Sequence, residues 1–205
     1  MKLFNENPIN LIFQKTFGKA INEVSGYNEH ELNKENLHKI TNEIFDIYKE
    51  KTLEIDFTKK SARVEMAQVL GKFFPAGTDV NRNQNYTCAK VVWTFKIIQG
   101  SKFLNALPTN HRFDRVDVDV DNGNNLLLVS YQTLYARAEL SEEVKKGVKN
   151  WISDLVPKME NTVSLINNDI SEFNKGMRPK IEEQINKRIA EIEKKNIQND
   201  DLADF

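Results

Sequence analysis

The last third of the chain constrains the fold more than any other stretch. From Ser141 onward, apolar residues fall at Val144, Val148, Ile152, Val156, Met159, Val163, Ile166, Ile170 and Phe173, first in steps of four and then alternating three and four. That spacing keeps one stripe on one side of a helix, as in a coiled-coil seam, and so long a stripe has to be covered. Ser141 supplies an N-cap hydroxyl, and Glu142 and Glu143 put carboxylates at the positive end of the helix dipole. Pro157 removes one backbone donor inside the stripe and predicts a kink or a division there.

At Asn174-Lys175-Gly176 the local signals predict a turn. Gly176 can take the left-handed conformation that stops a helix, and Pro179 suits the first turn of a second helix carrying Ile181, Ile185, Ile189 and Ile192. The expectation is a helical hairpin over residues 141–196, with Val148, Trp151, Leu155, Val163, Ile166, Ile170 and Phe173 as contact positions. The chain's own sheet, a second copy or a different protein could each cover them.

The remainder reads as an α+β domain over residues 1–140. Ile9, Phe13, Phe17, Ala20 or Ile21, and Val24 follow a helical period after Pro8, and Leu37, Ile40, Ile44, Ile47 and Tyr48 mark a second helix, giving an N-terminal helical pair. Val64, Met66, Val69 and Leu70 fit neither period cleanly and are read as a strand ending before Pro75-Ala76-Gly77. Ala89 to Ile98 is β-branched and aromatic, typical of a strand buried on one face. Val116, Val118 and Val120 alternate with charged residues up to Asn122-Gly123, and Leu126 to Leu134 follows, which predicts a β-hairpin. The fold class expected is α+β: a helical pair, a small, mainly antiparallel sheet and a C-terminal long-helix hairpin. Residues 197–205 are expected to form a disordered acidic tail, with Phe205 as a candidate docking anchor.

With 205 residues, 40% of them hydrophobic, the chain can bury one good core plus a small extension. A net charge of -1 gives no global attraction to nucleic acid or to anionic lipid, and the basic clusters Lys59-Lys60-Arg63 and Lys145-Lys146-Lys149 have acids close by. Direct nucleic-acid binding is therefore not expected. Cys88 is the only cysteine, so a disulfide within the chain is impossible and a thiol-rich metal site is excluded. No apolar run suits a secretory leader or a membrane span, which predicts a cytoplasmic protein.

Asp117, Asp119 and Asp121 are the strongest candidates for chemistry. Alternate strand residues share a face, so these three could gather carboxylates around a divalent cation. A calcium loop fits badly, because Asn122 stands where its glycine is needed and Leu128 where its bidentate glutamate is needed. A sharper enzyme reading joins Gly100-Ser101, as a phosphate turn, to Asp117 and Asp119 as magnesium ligands, in the manner of nucleotidyltransferases. The strand after Asp121 carries no third acid, however, and the plain alternative is a solvated strand face whose charges discourage edge pairing. No phosphate-loop glycine pattern and no paired zinc-binding histidines occur.

Asn168-Asp169-Ile170-Ser171-Glu172-Phe173-Asn174, followed by Arg178 and a basic-acidic helix, resembles an uncharacterised bacterial module. That module often precedes a restriction-endonuclease-like domain in proteins linked to defence against phage. The resemblance covers about the last ninety residues, including Ser141-Glu142-Glu143-Val144 and the preceding β-hairpin. It implies an accessory component without the nuclease, since the chain shows no acid-and-lysine endonuclease core. The function expected is a non-catalytic interaction or regulatory module, with a protein partner or a second copy, and without a cofactor; magnesium belongs to the enzyme alternative only.

Overall fold

The structure, a computed structural model, describes residues 1–114, 116–134 and 139–203. The elements are β1 (Asn7–Pro8), α1 (Ile9–Gly26), α2 (Leu37–Tyr48), β2 (Glu54–Leu70), β3 (Asn85–Gln99), β4 (Ala106–Leu107), β5 (Val118–Asp121), β6 (Leu126–Gln132) and α3 (Glu142–Ala203), with 3₁₀ turns at Gly71–Phe73 and Ser101–Phe103. The α+β class, the helical pair and the antiparallel sheet stand as expected. None of the helices among the described residues is long and apolar enough to cross a membrane.

Two compact units divide the chain. One comprises Met1–Glu6 and Leu53–Ile166; the other comprises Asn7–Thr52 and the chain from Asn167 onward. The boundary between these units falls within α3.

The first unit is built on a four-stranded antiparallel sheet in the order β2-β3-β6-β5. Trp93 lies opposite Val129, Phe95 opposite Leu127, and Val118 opposite Val129 from the other side, so alternation gathers these apolar residues on one face. All five are buried. The N-terminal segment joins the same sheet: the Leu3 N–H donates to the Val116 carbonyl at 2.9 Å and the Val118 N–H to that of Met1 at 2.9 Å. Phe4 is fully buried and meets Phe113 edge to face at 5.3 Å. Asp56 pairs with Lys96 and Ser61 with Thr94, leaving residues 57–60 opposite Phe95 alone. This bulge breaks the strand's alternation. Beyond it, β2 and β3 form a regular ribbon to Leu70 and Asn85, closed by a loop that the Arg82 guanidinium ties to the carbonyls of Gly71 and Phe74 at 3.2 and 2.7 Å. Gly71 is required there, since a Cβ would stand 2.0 Å from the Asn81 carbonyl oxygen.

The second unit packs α1 and α2 on the C-terminal part of α3. Ala20, Val24, Ile40 and Ile44 share a buried cluster with Met177, Ile181, Ile185, Ile189 and Ile192. Phe13 and Phe173 stack in parallel with ring centroids 4.4 Å apart. The Asn174 amide bonds both main-chain groups of Glu50, accepting from its N–H and donating to its carbonyl, each at 2.9 Å.

Three expectations for the C-terminal third need correction. No turn forms at Asn174-Lys175-Gly176, because α3 is a single helix of 62 residues running through Gly176 and Pro179. A helical glycine and an interior proline together cost about 4 kcal/mol. Burying Met177 and the four isoleucines beyond it brings about 1.5–3 kcal/mol each and outweighs that cost. For the same reason Pro157, exposed between buried Leu155 and Met159, does not divide the helix. Residues 197–203, expected as a disordered tail, continue it; Phe205 lies outside the described residues. The N-terminal end is as expected, with the Ser141 hydroxyl accepting from the Val144 N–H at 3.3 Å.

Candidate functional site

A groove of about 670 Å³ lies at the end of the sheet where β5 begins and β6 ends. The register explains its polar wall. Lys90 faces Gln132, Asp119 faces Leu128, and Asp117, Ser130 and Gln132 fall on the same side by alternation. Trp151, Asp154, Leu155 and Lys158 of α3 also line it. Lys158 pairs with Asp114 at 3.3 Å, and the Gln132 amide is committed to the carbonyls of Ala89 and Thr133 at 3.2 and 3.0 Å. Asp117 and Asp119 line the groove from the sheet side, and both are exposed.

Asp121 does not join them. Its carboxylate caps the β5–β6 turn, accepting from the N–H groups of Gly123 and Asn124 at 3.0 and 3.2 Å and from the Asn124 side chain at 2.8 Å. The Asn124 amide, followed by the Asn124 N–H, holds the Asp121 carboxyl below its ordinary value. An acid so depressed stabilises the fold above its unfolded pKa and loses that contribution as pH falls through its folded pKa. Asn124→Ala should therefore raise the Asp121 titration toward the ordinary aspartate range and shift the turn's acid melting to higher pH, read by carboxyl NMR. An unchanged midpoint would remove the cap from the account. Among the described residues, no group of three or more His, Cys, Asp or Glu side chains is placed to hold a metal ion.

The enzyme reading needs Gly100-Ser101 beside Asp117 and Asp119, and the register does not bring them together. Asp119 pairs through Leu128 to Thr94, six residues from Gly100 along β3, which is about 20 Å of extended strand. Gly100, at φ 75°, serves instead to turn the chain from β3 into the 3₁₀ turn Ser101–Phe103.

The expected contact positions are distributed over the chain's own packing. Val148, Leu155, Ile166 and Ile170 are buried. Trp151 is half-buried against Trp93 and Tyr131, at ring separations of 5.6 and 5.1 Å. Val163 and Phe173 are also half-buried, Phe173 on Phe13. No family model matches the chain, and neither the curated proteins nor the solved structures include a match.

Single apolar side chains stand in water at several places, among them Ile47, Phe73 and Ile98, and two lie together on one strand. Val64 and Met66, 51% and 58% exposed, sit on β2 at the edge of the sheet. Their cross-strand partners Val91 and Ala89 are buried, so an apolar face runs from the core of the sheet to an open edge. Sequence reasoning passed over this edge, because the bulge at residues 57–60 hides the strand's alternation until Ser61.

Proposed function

We propose that the chain is a non-catalytic interaction module of the cytoplasm, and that its docking surface is the outer edge of β2. The observation that supports this reading is the pair of exposed side chains Val64 and Met66 on a strand that, among the described residues, has a neighbour on one side only. Such an edge presents a row of main-chain donors and acceptors to any incoming strand, and natural sheet proteins usually blunt it. The contact positions on α3 serve the chain's own core first, and so favour a role for the helix in shaping the module over one in docking. The likeness of residues 168–178 to the bacterial accessory module supports a regulatory place in a defence system.

The test uses a photo-crosslinking amino acid at position 66, with position 119 in the groove as the comparison, in the living cell. A discrete protein adduct is expected from position 66 and none from position 119. Absence of any adduct at position 66 overturns the reading, and an adduct confined to position 119 moves the docking surface to the groove.

A further inference from the structure

We infer that the partner at this edge is a second copy of the chain, joined by antiparallel pairing of β2 with itself about a two-fold axis at Val64. The inference rests on the interaction reading above and names its occupant. It is carried by the order of residues in the ribbon beyond the bulge. An axis at Val64 sets Val64 opposite its own copy, Ala62 opposite Met66, and Arg63 opposite Glu65. Ala62, Val64 and Met66 alternate onto one face and are all exposed, so the pairing brings apolar residues against apolar residues.

Arg63 and Glu65 share the other face, as their ion pair at 2.7 Å within one strand shows. Both are substantially exposed, with side-chain exposures of 53% and 38%, so exchanging the two pairs within strands, one in each copy, for two between copies gives up little. In the dimer the charges of both copies alternate in sign across the seam.

The neighbouring registers are excluded by the same residues. A two-fold axis normal to the sheet keeps each side chain on its own face, so the smallest permitted slip moves the axis by one residue. That slip sets Arg63 against Arg63 of the copy, or Glu65 against Glu65, and like charges directly opposite are unfavourable. At Val64 the bulge lysines meet no cation, since Lys60 faces Gln68 and Lys59 faces Val69. Residues 61–67 contain no proline, and the bulge ends before Ser61. The joined edges make one continuous eight-stranded sheet, with no strand edge left open at the seam.

The experiment is a charge exchange on the intact chain. Light scattering across a concentration series should give a dimer for the parent, whereas Arg63→Glu and Glu65→Arg should each weaken it about tenfold or more, since each turns two opposite-charge pairs into like-charge pairs. An equimolar mixture of the two variants should regain dimer mass. In the mixed dimer the glutamate introduced by Arg63→Glu faces the arginine introduced by Glu65→Arg, and the native Glu65 of the first variant faces the native Arg63 of the second. Recovery also shows that both variants are folded. Val64→Cys should form a disulfide between copies under mild oxidation, because opposed Cα atoms lie about 4.5–5.5 Å apart, within disulfide reach. Gln68→Cys should not.

A parent that is monomeric at every concentration overturns the inference, as does a dimer indifferent to both reversals. Adducts at position 66 then separate the cases. An adduct with a different protein keeps the interaction reading and sinks only the self-pairing, whereas no adduct sinks both.

Discussion

Ile185→Asp should unfold the helical unit. Ile185 is fully buried in the cluster that joins α1 and α2 to α3. Truncating a buried isoleucine costs about 2–5 kcal/mol, and a carboxylate with no partner in that cluster adds several more. The total, above about 5 kcal/mol, is comparable to the whole stability of a typical domain. Denaturant melting followed by far-ultraviolet circular dichroism should show the loss, whereas Ile185→Val should cost only about 0.5–1.5 kcal/mol.

The variant should also acquire a pH dependence of known sign. Burial raises the folded pKa of the new aspartate above its unfolded value of ~3.9. Between those two values the folded state binds more protons, so stability falls as pH rises and is partly regained on acidification. Equal melting of Ile185→Asp and the parent would mean that α3 does not pack on α1 and α2 through this face.

Trp151→Ala carries the second-largest expected effect, about 2–4 kcal/mol on the sheet unit. Trp151 lies against both Trp93 and Tyr131, and Trp93 is 5% exposed. The chain has only two tryptophans, so their near-ultraviolet circular dichroism reports on this ring cluster directly. The signal should collapse in Trp151→Ala and the melting temperature should fall. A variant with unchanged stability would instead free Trp151 for a partner, returning weight to the helical stripe as a docking surface.

Much of the fold is legible in the sequence because periodicity is local. The alternation of Val118 and Val120 with aspartates, the Asn122-Gly123 turn and the stepped residues of α1 and α2 all resolve into the elements they predict. The turn predicted at residues 174–176 fails because Gly176 and Pro179 are weak punctuation against a stripe that does not end at Phe173. Phe173, Met177, Ile181, Ile185 and Ile189 continue in steps of four, and Met177 is the link that carries the helix through.

The candidate sites are less legible, since they depend on register between distant strands. Asp117 and Asp119 can be placed on one face from sequence. Their grouping with Lys90, Gln132 and Trp151 cannot be, and neither can the distance from Gly100. Asp121 looks equivalent to its two neighbours in sequence and differs only because the turn beside it supplies donors. The self-matching order around Val64 becomes meaningful only once β2 is known to be an edge.

Cys88 is fully buried beside Val69 and Phe74, and burial pushes its thiol above the ordinary value. The thiolate that would react is scarce and screened from reagents. The native chain should therefore label only slowly with maleimides and spin labels without any cysteine being removed. Each cysteine installed on the surface becomes a single address for a probe, so distances and mobilities along β2 can be recorded one position at a time on an otherwise natural background.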